Sequence, residues 1–449
     1  MTDTKIKQYN LTKGSILQKL LLVALPIIGT QLMQMLYNLA DMFWMGRLGT
    51  ESLAATATCG MYIWLSMGFM ILGRMGSEIG VAQSVGSGNI KKAHSYMTNS
   101  FLISIILGVF VGAAMIFGHS LLIGFFGIKE IEVVSLAEHY LSISGLGIPF
   151  VFMTAVIAGA FTGAGNSKLI FQINIIGIIF NLILDPITIF GLNLGITGAA
   201  ISNVIGQLLS FILSMLALYR HADRPFEKVK LLVAPRFKEM KQIFCWGVPI
   251  MLQDLLYPIL SMSITRIVAS WGAVAIAAQR IGTQAESLTW LIAGGFCMAT
   301  TSFIGQNYGA NRLDRINKGM RLALIMLTIY GLIVTAILYF GGGLIAHIFT
   351  NDPAVIDLSM KYLRIAAFCQ LASCLEPLFA GYFRGIGQTV SPSVISILGN
   401  ISRCVVAFVF AHLGFGFITL SWVITIGAIV RSLMLVIWYL LKRKKEVTK

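Results

Sequence analysis

Apolar residues in this chain run in blocks of about twenty or more, parted by short polar and charged breaks. A helix needs ~20 residues to cross a ~30 Å hydrocarbon core, and it satisfies its own backbone hydrogen bonds there. Twelve such blocks fall near 15–42, 51–80, 93–117, 133–161, 168–190, 195–219, 238–267, 273–305, 316–340, 355–382, 389–411 and 416–440. The pattern predicts an all-α integral membrane protein of twelve transmembrane helices. The first block runs too long for the apolar core of a cleavable signal peptide and contains Pro26, so it is read as the first span.

The blocks repeat. Pro26 in Leu25-Pro26-Ile27 returns 223 positions later as Pro249 in Val248-Pro249-Ile250. Gly49 returns as Gly272, Ala54-Ala55 as Ala277-Ala278, and Gln83-x-x-Gly86 as Gln306-x-x-Gly309. Beyond about position 130 the offset is 222: Tyr140-Leu141 matches Tyr362-Leu363, and Gly163-x-Gly165 matches Gly385-x-Gly387. Six helices per half is an even number, so both halves enter from the same face. That makes the repeat parallel, with a pseudo-twofold along the membrane normal. The domains read as an N-terminal six-helix lobe over 1–219, a basic linker over 220–241 and a C-terminal six-helix lobe over 242–449. Glycines in the two Gln-x-x-Gly segments are expected to cap the second helix of each half.

Composition agrees with a membrane chain: 57% hydrophobic, 11% charged, mean hydropathy +0.83, against ~25% charged in a soluble domain. Net charge is +15, and its placement is more telling than its size. Of 33 Lys and Arg, 24 fall in the termini and the even-to-odd loops, seven of them in 220–241. The opposite loops hold four (Arg47, Lys129, Lys361 and Arg364), and five lie within helices. Positive loops stay inside, so both termini are expected in the cytoplasm of a cell-membrane protein. The same charge suits anionic lipid, and no nucleic-acid partner is expected. No GK[ST] follows the glycine-rich turns, so no nucleotide partner is expected either. The six cysteines lie in apolar segments without a CxxC, and the six histidines form no HExxH. Clustered His, a Ser–His pair or metal ligands at one depth are missing, which argues against an enzyme, and no cofactor is expected.

Ionisable groups at membrane depth cost several kcal/mol unless paired, so each is a functional candidate. Asp41 lies late on the first helix and Asp185 late on the fifth, both running outward; Ser202 and Asn203 lie early on the sixth, running inward. All four therefore share one depth in the outer half of the membrane. Tyr37 precedes Asp41 by four positions and Asn181 precedes Asp185 by four, so each pair occupies one helix face. Pro186 removes a backbone donor beside them. Two carboxylates with amide and hydroxyl oxygens suit a shared proton or a hard cation such as Na⁺. The second half is not a copy: Ile264, Arg403 and Ala407 stand at the equivalents of Asp41, Asn181 and Asp185. Its own ionisables are Asp254, Glu286, Glu376 and Arg403, read as a candidate second site for cation or substrate. The competing reading pairs Glu286 or Asp254 internally with Arg266, Arg280 or Arg403. Arg74 and Glu78, four apart, are read as a local ion pair.

Taken together, the six-helix halves, Asn181-x-x-x-Asp185-Pro186, Gly198-Ala199-Ala200, Gly163-Ala-Gly165-Asn166 and Arg384-Gly385-Ile386-Gly387 resemble the multidrug and toxic compound extrusion (MATE) family, and Asp41 points to its DinF-like branch. The resemblance covers the whole chain. It implies a cation-coupled antiporter, using H⁺ or Na⁺, that exports amphipathic and often cationic organic compounds by alternating access. It places the coupling ion in the N-terminal lobe, with Na⁺ as a candidate ligand of Asp41, Asn181 and Asp185. Asn203 stands where Thr is usual. The resemblance also sets Glu376-Pro377 roughly where relatives carry a helix 10 carboxylate. Abundant Met (21) and Phe (28) suit adaptable binding of organic substrates. The alternative is a lipid-linked precursor flippase, whose cavity would need several cationic residues for pyrophosphate.

Overall fold

The computed structural model describes residues 10–220, 225–226, 231 and 235–447, and it is helical almost throughout. Lys5, Lys7, Arg224, Lys228, Lys230 and Lys449, six of the cations that set the expected orientation, lie outside the described residues. We number the helices α1 (Ile16–Leu48), α2 (Thr50–Gly86), α3 (Ile90–Phe117), α4 (Ile131–Gly163), α5 (Ser167–Pro186), α6 (Gly195–Arg220), α7 (Phe237–Ala269), α8 (Ala273–Gly309), α9 (Leu313–Phe349), α10 (arms Pro353–Ala367 and Gln370–Gly385), α11 (Val390–His412) and α12 (Phe417–Val447). A six-residue turn of helix, His119–Gly124, lies between α3 and α4. Among the described residues eleven helices are long and apolar enough to cross a membrane, or twelve if the arms of α10 form one span. Those arms meet at 47°, a break that the block over 355–382 does not announce. Side chains such as Phe110 and Phe340 stand exposed on helix surfaces, as lipid-facing positions do.

The chain forms two compact units, Met1–Met251 with Gly305–Arg312, and Leu252–Ile304 with Leu313–Lys449. The end of α8 therefore belongs to the first unit. There Gln306 accepts the Leu11 amide at 2.9 Å and donates to the Gly163 carbonyl at 2.8 Å. Arg312 donates to the Thr12 carbonyl at 3.2 Å. The repeated Gln-x-x-Gly segments find their reason here. A Cβ on Gly86 would strike the Gln306 carbonyl, and one on Gly309 would strike the Gln83 carbonyl, so two helix ends cross on their glycines. Neither glycine is the cap. The left-handed residue that ends α2 is Gly88 (φ 73), and the one that ends α8 is Asn311 (φ 55). Both close with the same paired bonds: Asn89 N to Ser84 O and Gly88 N to Val85 O, then Arg312 N to Asn307 O and Asn311 N to Tyr308 O. Phe226 and Leu231, from the 220–241 segment, are buried in the apolar core of α2–α6.

Candidate functional site

In the first unit α5 and α6 run antiparallel and bury one polar seam. Three positions on α5 four residues apart, Gly177, Asn181 and Asp185, face three on α6 four residues apart, Ser210, Gly206 and Ser202, and Gly198 one turn further faces the chain beyond α5. Such spacing puts each set on one helix face. The rungs differ in kind. A Cβ on Gly198 would lie 2.6 Å from the Thr188 carbonyl, so this glycine is what lets the start of α6 approach the chain after Pro186. One turn on, the Ser202 hydroxyl donates to Asp185 Oδ1. One turn further, Gly206 leaves room for the Asn181 amide. Pro186 ends α5, and a five-residue π turn, Ile187–Gly191, follows it. The Thr188 hydroxyl donates to the Leu184 and Asp185 carbonyls at 3.1 Å each, which serves the backbone that the proline disturbs.

Helix α1 packs on α5 and completes the cluster. Tyr37 Oη donates to Asn203 Oδ1 at 2.5 Å, and Asn181 Nδ2 donates to Tyr37 Oη and to Asn203 Oδ1, both at 2.9 Å. Asp41 lies within electrostatic reach of Asp185. All six residues expected from sequence, Tyr37, Asp41, Asn181, Asp185, Ser202 and Asn203, thus meet in one place. A seventh was missed. Tyr140 of α4 accepts the Asn203 amide at 3.4 Å and is buried among Ile189, Ile196, Ala199 and Ala200, which wall the cluster with apolar side chains. Its only mark in the sequence is the repeated Tyr-Leu pair.

The cluster has acceptors to spare. Asp185 is fully buried, yet its Oδ2 has no hydrogen-bond partner; Asn181 Oδ1 and Asp41 Oδ1 are likewise buried and unpartnered. No Lys or Arg pairs with either acid among the described residues. Burying such oxygens without a donor is costly. Carboxylate and amide oxygens without donors are the ligand set of a hard cation, and a carboxylate pair is equally able to share a proton. No cluster of three or more His, Cys, Asp or Glu fit to hold a metal is present among the described residues. The donor set here is two acids plus neutral oxygens.

The second unit disposes its charges differently. Glu376 is buried and its carboxylate meets Arg431 of α12, with Nε 3.3 Å from each oxygen. Ser396 Oγ donates to Glu376 Oε1 at 3.1 Å, and Arg431 Nη1 donates to Asn400 Oδ1 at 3.1 Å. Glu286 has Tyr362 and Arg403 as its polar neighbours. Asp254 stands exposed on α7 within electrostatic reach of Arg384, and Arg266 and Arg280 are exposed as well. Glu286 thus has Arg403 beside it while Glu376 pairs with Arg431, a partner that sequence reasoning had not found. Glu78, the expected partner of Arg74, is fully buried in α2.

Repeated membrane lobes with acids buried in them are the architecture of a membrane transporter. The MatE family model matches residues 26–187 and again 249–409, and the chain belongs to that family. It is 26% identical over 397 residues to a probable multidrug resistance protein NorM of Thermotoga maritima, covering 87% of this chain and 85% of that one. It is 26% identical over 450 residues to the probable multidrug resistance protein YoeA of Bacillus subtilis, covering 98% and 96%. The fold matches the outward-facing conformation of a multidrug resistance MATE family transporter of the MOP superfamily, with a TM-score of 0.90, 22% identity and 98% of each chain covered. It also matches a Pyrococcus furiosus MOP superfamily transporter described as having a binding pocket of reverse polarity, with a TM-score of 0.89, 22% identity and 98% of each chain covered.

Proposed function

We propose that the chain is a cation-coupled antiporter of the cell membrane that exports amphipathic, often cationic organic compounds. The observation that carries this reading is the set of three buried oxygens without donors, on Asp41, Asn181 and Asp185. Either H⁺ or Na⁺ suits the set: a proton gives one carboxylate a donor for the other's lone pair, and Na⁺ takes oxygens from all three side chains. Loading neutralises negative charge and weakens the lobe's hold on a cationic substrate, so ion and substrate bind competitively. Relatives named for multidrug resistance support the substrate class. The 24-to-4 bias of positive charge supports termini on the cytoplasmic side.

Ethidium efflux from vesicles under an imposed Na⁺ or proton gradient tests the reading. One gradient should drive efflux, and its ionophore should stop it; efflux indifferent to both gradients contradicts the proposal. For the orientation, cysteines placed near Lys129 and Asp352 should label from outside sealed cells, while those near Lys91, Lys230 and Lys444 should not. Labelling at 230 reverses the topology.

A further inference from the structure

The second unit holds a buried carboxylate that already has its cation. Glu376 and Arg431 are 8% and 2% exposed, and the guanidinium faces both carboxylate oxygens. The site is built around the arginine. A Cβ on Gly399 would collide with Arg431 Cγ and Cδ, so only glycine admits that stem between α11 and α12. Asn400 Oδ1 accepts a hydrogen bond from the guanidinium, and the Ser396 hydroxyl donates to one carboxylate oxygen. Neither Glu376 oxygen is left without a donor, unlike the oxygens of Asp41, Asn181 and Asp185.

We propose that Arg431 is a tethered cation that occupies Glu376 permanently, so that the second lobe takes neither coupling ion nor cationic substrate at this acid. The inference rests on the first-lobe coupling read above and assigns the other lobe a passive role. An arginine cannot give up its proton near neutral pH and is covalently held, so no gradient can load or unload this carboxylate. Arg431 thereby sets which lobe senses the ion.

The test is dye binding by purified protein in detergent, with ethidium titrated at varied pH and Na⁺. In an Asp41→Asn/Asp185→Asn background the binding should lose all dependence on both ions although Glu376 is intact. A residual dependence that the added pair Glu376→Gln/Arg431→Met removes would overturn the proposal. The added single change Arg431→Met should create a new ion dependence, and Arg431→Lys should not. Because Arg431→Met can unfold the lobe, the charge-free pair Glu376→Gln/Arg431→Met in the otherwise unaltered protein gives a second reading. It should retain gradient-driven efflux near the parent's rate; loss of coupling in this folded variant contradicts the proposal. Failure of the first-lobe reading has a different signature, in which Asp41→Asn keeps coupled efflux.

Discussion

The seam between α5 and α6 and the seam between α11 and α12 are the same structure carrying opposite chemistry. In the last helix the repeat runs at an offset of 221, so Gly195 matches Gly416, Gly206 matches Gly427 and Ser210 matches Arg431. Gly177 and Gly206 keep their places and their duties, whereas Gly198, Ser202 and Ser210 give way to Thr419, Val423 and Arg431. Gly206 faces Asn181, and Gly427 faces Arg403, the residue at Asn181's equivalent; Gly177 faces Ser210, and Gly399 faces Arg431. The polar content then diverges. The first seam leaves carboxylate and amide oxygens buried without donors; the second sets an arginine against the buried carboxylate of α10. Backbone packing is conserved between the lobes by glycine, whereas electrostatic state is set by a few side chains. A site that must be loaded and unloaded needs an unfilled valence, and a site meant to stay rigid fills it.

Breaking each seam's charge should therefore have opposite effects on stability. Arg431→Met leaves Glu376 buried without its partner and should cost about 3–5 kcal/mol, read as a lowered midpoint of thermal unfolding in detergent, with most of the loss restored by adding Glu376→Gln. Asp185→Asn removes an unpaired buried charge and keeps an oxygen for the Ser202 hydroxyl, so it should unfold no more easily than the parent. Equal destabilisation by the two changes would erase the contrast. A smaller effect separates the matched glycines. A Cβ at Gly206 lies 3.2 Å from Asn181 Cγ, so Gly206→Ala must move the amide that bonds Tyr37 and Asn203, and coupled efflux should fall several-fold. A Cβ at Gly427 lies an ordinary 3.5 Å from Arg403, so Gly427→Ala should leave efflux unchanged and gain up to about 1 kcal/mol of helix propensity. Smallest of all is Tyr140→Phe. It removes only the acceptor of the 3.4 Å contact from Asn203 and should cost about 0.5–1.5 kcal/mol, with efflux still coupled.

Much of this was legible in the sequence because membrane burial is a one-dimensional signal. Each of the twelve apolar blocks has its helix, and topology alone put Asp41, Asp185, Ser202 and Asn203 at one depth; the structure brings Tyr37, Asn181 and Asn203 into contact and Ser202 onto Asp185. What stayed hidden depends on direction or on register between helices. The 47° break in α10 changes heading and leaves hydropathy untouched. Tyr140 was visible as a repeat marker, but its hydroxyl's partner lies 63 positions away. Arg431 was one of five cations within helices, yet its partner lies 55 positions back, and the one-residue change of offset that aligns it with Ser210 is silent in composition. The glycines of Gln83-x-x-Gly86 and Gln306-x-x-Gly309 looked like helix stops; only the crossing of two backbones shows that they are contact points.

The central claim is that coupling resides in the first seam. Reconstituted vesicles carrying Asp41→Asn or Asp185→Asn, loaded with ethidium and given the gradient that drives the parent, test it most directly. The account expects efflux at the rate seen without a gradient, with normal insertion and an unfolding midpoint no lower than the parent's. Efflux at the parent's rate from both variants would contradict it.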